Sequence, residues 1–101
     1  MQDKRSSTRH DVALPVTISI GSQTFERQID NLSLGGALIS HDSRLPMGAR
    51  VQLAFKVPTQ EQAIEVGGAV RWSTELAAGV QFDGLRARDV WSLNKYFELL
   101  D

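Results

Sequence analysis

The stretch VALPVTISI, residues 12–20, decides the fold. Its even positions, Val12, Leu14, Val16, Ile18 and Ile20, are all apolar, with Ala13, Pro15, Thr17 and Ser19 between them. Period two of this kind is a strand with one buried face. Proline has no N–H to give a neighbouring strand, so Pro15 on the other face marks an edge or a bulge.

Working outward, the pattern repeats. Gly21-Ser22-Gln23 makes a short turn, and Phe25, Arg27 and Ile29 alternate on the way back. NLSLGGALIS follows at 31–40, then the loop HDSRLPMGA at 41–49. Val51, Leu53, Phe55 and Val57 form another alternating strand, closed by the turn signal Pro58-Thr59. Ile64, Val66, Val70 and Trp72 share a parity, with Gly67-Gly68 expected as a bulge, and Ala78, Val80 and Phe82 make a last short strand. Short strands at this spacing predict an antiparallel barrel or sandwich. The tail changes period: Val90, Leu93, Phe97 and Leu100 draw one stripe down a helix, after a polar first turn from Arg86 to Asp89. That helix is expected to plug an open end of the barrel or cover one face. Trp91 and Tyr96 fall beside the stripe and are expected to pack against the barrel. Parity likewise places Trp72 in the core.

Composition bounds the function. The chain has 101 residues, 42% of them hydrophobic and 23% charged, which suits one domain with a modest core. No apolar run approaches the roughly 20 residues of a membrane span, and the N-terminus does not read as a signal peptide, so a cytoplasmic module is expected. With no cysteine, disulfides and thiolate metal sites are excluded. His10 and His41 stand in separate polar segments without ligand spacing, and no metal is expected. GxSxG, a Walker lysine and GxGxxG are all missing, and carboxylates occur singly. The expectation is a protein that is not an enzyme and needs no cofactor. Eleven basic residues against 12 acidic ones, net charge −1, do not furnish the basic face of a nucleic-acid binder.

Two stretches go beyond what a plain barrel requires. One is Arg5-Ser6-Ser7-Thr8-Arg9, with Lys4 before it; the other is Asn31-Leu32-Ser33-Leu34-Gly35-Gly36. Arginine makes forked contacts with phosphate or with the O6/N7 edge of guanine. Asn31 offers an amide, Ser33 a hydroxyl, and Gly35-Gly36 let backbone approach a ligand closely. Taken singly, the first stretch reads as a solvated tail and the second as an ordinary turn. Residues 1–9 carry no apolar side chain after Met1, so a flexible arm is expected there. Arg71, of opposite parity to Trp72, is a candidate extra phosphate contact.

RxxxR followed by [D/N]xSxxG on this strand layout resembles the PilZ domain. Arg5 and Arg9 fill the first motif, and Asn31, Ser33 and Gly36 the second; AVRWSTELAAGVQFDGL, 69–85, resembles the family's final hairpin. The resemblance implies a six-stranded antiparallel barrel at 11–84, a C-terminal α-helix at 86–100 and a flexible arm at 1–10 carrying RxxxR. It implies a receptor for cyclic di-GMP, bound as an intercalated dimer or singly, that passes a conformational signal to a partner protein or fused effector domain. Arg5 and Arg9 would clamp phosphates and guanine edges. Asn31 would accept from a guanine N1–H or N2–H, Ser33 would bond phosphate or base, and Gly36 would leave room for the purine. Lys4, Gly35, Arg71 and Trp72 are additional candidates, Trp72 because an aromatic at this hairpin lies beside a guanine in some relatives. The alternative within the family is an adaptor that binds proteins and no nucleotide.

Overall fold

The computed structural model describes residues 9–40 and 45–100, so Lys4, Arg5, His41 and the arm up to residue 8 lie outside the described residues. The strands are β1 (His10–Ile20), β2 (Gln23–Leu32), β3 (Gly36–Ser40), β4 (Arg50–Phe55), β5 (Ile64–Ser73) and β6 (Ala77–Phe82), followed by the helix α1 (Ala87–Leu100). They close into a barrel in the order β1-β2-β3-β6-β5-β4, and every neighbouring pair is antiparallel. Closure gives every strand a partner on both sides over at least part of its length.

The alternation of residues 12–20 becomes burial only where β1 has two neighbours. Val16 and Ile18 are buried, and β1 pairs β4 from Val16↔Phe55 to Ser19↔Gln52. Val12 and Leu14 are half-buried on the end that pairs β2 alone. Pro15 sits just outside the β4 pairing, where a missing N–H costs no ladder bond. A register shift between Asp11 and Leu14 supplies the bulge. The strand opens at His10, inside the stretch assigned to the arm, because the His10 ring stacks on Phe97 of the helix at 4.0 Å between centroids.

The bulge expected at Gly67-Gly68 is not there. Those glycines pair regularly with Gln52 and Val51. At Gly68 a side chain would meet the Gln81 carbonyl, so the glycine serves close strand approach instead. The irregularity in β5 falls between Val70 and Trp72.

The helix buries Asp89, Ser92, Leu93, Tyr96 and Phe97, three and four apart, against the barrel. It is pinned to the β4–β5 connection by polar contacts. Thr59 Oγ1 donates to the Ser92 carbonyl (2.7 Å), Ser92 Oγ to Gln60 Oε1 (2.5 Å) and Gln60 Nε2 to Asp89 Oδ1 (3.1 Å). Tyr96 packs as expected; Trp91 does not. The residue is 60% exposed and its ring carries the Lys95 ammonium 5.6 Å from its centroid, because the helix turns its 92–96 face, not residue 91, to the barrel.

Candidate functional site

The site is built on the β2–β3 hairpin. Its loop is three residues, Ser33, Leu34 and Gly35, between Leu32 and Gly36. The Ser33 N–H donates to the Gly36 carbonyl at 2.9 Å. The Ser33 hydroxyl donates to the same carbonyl (3.3 Å) and accepts from the Gly35 N–H (3.2 Å), a local serine turn that fixes the loop. Ser33 is therefore both buried and engaged within its own turn. The Phe82 N–H holds the Gly35 carbonyl at 2.8 Å, which ties the loop to the end of β6. A side chain at Gly36 would run into the Val80 carbonyl, so the second glycine is what lets β3 lie this close to β6. Around Gly35 there is open space.

The opposite wall comes from the β5–β6 hairpin. Because register slips between Val70 and Trp72, the indole that parity assigns to the core swings outward and is 44% exposed. It lies over Gly79, where any Cβ would collide with the indole. Arg71 stands beside it. The result is a recess of about 540 Å³ lined by Arg9, Ser33, Gly35, Gly36, Arg71 and Trp72, with residues 79–81 behind. Arg9 and Arg71 both line this recess, and among the described residues no carboxylate does. In a chain of net charge −1, that is a local cationic pocket with an aromatic side.

Asn31 stands one contact back. Its Nδ2 donates to Asp11 Oδ1 at 2.9 Å, and Arg9 Nη1 donates to its Oδ1 at 3.5 Å. Of the residues singled out by sequence, Arg9, Ser33, Gly35, Gly36, Arg71 and Trp72 meet at one recess, and Asn31 joins it through Arg9. Lys4 and Arg5 lie outside the described residues. Motif reading missed Asp11, Gly79 and Gln81. For Gly79 the sequence carries one signal, a glycine inside a strand pattern, which marks close approach by another group.

The sequence matches the PilZ domain family model over residues 3–99. No curated protein matches it by sequence. Among solved structures it is similar to the Borreliella burgdorferi PlzA protein in complex with c-di-GMP, at TM-score 0.73 and 18% identity over 94% of this chain and 41% of that one. The Bacillus subtilis inhibitor of motility MotI/DgrA gives TM-score 0.74 and 20% identity over 95% of this chain and 53% of that one. The PilZ domain of CeSA from a cellulose-synthesizing bacterium gives TM-score 0.70 and 17% identity, over 92% of this chain and 98% of that one. The chain thus spans about half or less of the first two proteins and nearly all of the third. With six strands closed into a barrel, a terminal helix and a family match from residue 3 to residue 99, the chain belongs to the PilZ domain family.

Proposed function

We propose that this domain is a binding module for cyclic di-GMP, not an enzyme, and that it passes binding on to a partner protein or fused domain. The observation that carries the reading is the recess in which Arg9 and Arg71 meet the Ser33–Gly36 turn, with no carboxylate among the described residues that line it. Phosphodiester oxygens answer guanidinium and backbone N–H groups, and a purine has an aromatic wall in Trp72 to lie against. Asn31 Oδ1 keeps a lone pair for a guanine N1–H or N2–H beyond its bond from Arg9. PlzA, a neighbour in fold, was solved in complex with c-di-GMP. Arg5 would add the second clamp of the RxxxR pair from the arm.

Isothermal titration of the folded domain is the test. Cyclic di-GMP is expected to bind with Kd in the micromolar range or tighter, about −8 kcal/mol or better. Linear GMP and cyclic AMP are expected to bind far more weakly. Flat heats with cyclic di-GMP at high protein concentration refute the reading and leave the protein-binding adaptor.

A further inference from the structure

Asp11 belongs to neither motif, yet it sits directly across from Asn31 in the β1–β2 pairing. An amide has a donor end and an acceptor end, and its neighbours decide which way it faces. Here both neighbours demand the same orientation. The Asp11 carboxylate can only accept, so it takes Nδ2 at 2.9 Å; the Arg9 guanidinium can only donate, so it takes Oδ1 at 3.5 Å. We infer that Asp11 is a positioning residue: it locks the Asn31 amide with its oxygen toward Arg9 and the recess, so that this asparagine presents an acceptor there as an aspartate would.

The consequence runs against simple motif logic. Replacing Asn31 by aspartate, the other residue the motif allows, places two carboxylates opposite one another across a strand pair. Like charges so placed repel, and the new acid has no N–H for Asp11. The substitution should therefore weaken the site in this chain. Exchanging the two side chains restores a donor–acceptor pair and leaves a carboxylate oxygen for Arg9.

Two measurements test this, and only the second rests on the cyclic di-GMP reading. In the ligand-free protein, the Asn31 side-chain NH2 resonances report the Asp11 contact. In D11A they are expected to move toward free-amide positions with cooperative melting retained; unchanged resonances overturn the inference. In titrations with cyclic di-GMP, N31D is expected to bind about tenfold more weakly and D11N/N31D to recover to within about threefold of the parent. N31D binding as well as the parent, or a double variant no better than N31D, overturns it. If the parent itself gives flat heats, the nucleotide reading fails and the amide resonances alone decide the role of Asp11.

Discussion

Among the described residues, two recesses that set an arginine beside glycine differ in what answers the charge. The first holds Arg9 and Arg71 with Ser33, Gly35 and Gly36. The second, about 300 Å³, holds Arg50 with Ser19, Gly21, Gln52, Gly67 and Asp83. In the second, Arg50 is ion-paired to Asp83. The hydrogen bond to Asp83, with its charge, holds the Arg50 guanidinium above its ordinary range. The same bond, with the charge of Arg50, holds the Asp83 carboxyl below its own. In the first recess, Arg9 contacts a neutral amide at the long distance of 3.5 Å. An arginine in a recess is thus a candidate anion site when the fold supplies no anion of its own. By that criterion Arg50 already holds its counter-ion, and Arg9 is the candidate for an external anion.

The largest expected effect breaks or keeps that distinction. Arg9→Ala removes at least one charge-assisted hydrogen bond to the nucleotide, about 1.5–3 kcal/mol, so cyclic di-GMP affinity should fall roughly 10- to 100-fold. Arg50→Ala, titrated alongside, should leave affinity unchanged. Equal losses from the two would show that net charge, and not the Arg9 recess, attracts the ligand.

The glycines of the two recesses give the next contrast. A Cβ at Gly36 meets the Val80 carbonyl, which is backbone and cannot swing aside. Gly36→Ala should cost about 1–3 kcal/mol in urea unfolding, the usual range for overpacking. At Gly67 the first atom met is Asp83 Oδ2 at 2.9 Å, the far end of an exposed side chain. Gly67→Ala should shift the urea midpoint far less. A Gly36→Ala domain as stable as the parent would mean that β3 and β6 tolerate wider separation and that the glycine is there for the ligand alone.

How much of this was legible depends on where each residue's partner lies. Strands show in the sequence because burial alternates locally, and Val16, Ile18, Leu53, Val66 and Val80 are all core, as their parity requires. Trp72 breaks parity because a register slip one residue before it depends on pairing with β6 and on the bare Cα of Gly79. Nothing adjacent to Trp72 encodes that. Asp89 read as an ordinary polar first-turn residue, yet it is 1% exposed and accepts from Gln60, far off in the chain. Favourable placement near the helix N-terminus was visible; the buried partner was not. Arg9, Asn31 and Ser33 were legible as a motif, whereas the Asp11 contact needs the β1–β2 register to bring it opposite Asn31.

The smallest expected effect concerns the ion pair that answers Arg50. Both partners are exposed, 66% and 51% by side chain, so solvent screens the pair and its contribution is slight. Its sign is nevertheless fixed. Because Arg50 lowers the Asp83 pKa in the folded state, the contribution is present above the ordinary aspartate value of about 3.9 and is lost as pH falls through the lower folded value. Melting of the parent and of Asp83→Asn should therefore differ a little near pH 7, with the parent more stable. The gap should narrow as pH drops below about 4 and shrink in high salt. Cyclic di-GMP affinity should not change with Asp83→Asn, since the freed Arg50 charge lies in the other recess. A variant that gained nucleotide affinity would show that the two recesses compete for the ligand, and that an internal counter-ion is what keeps the second one closed to it.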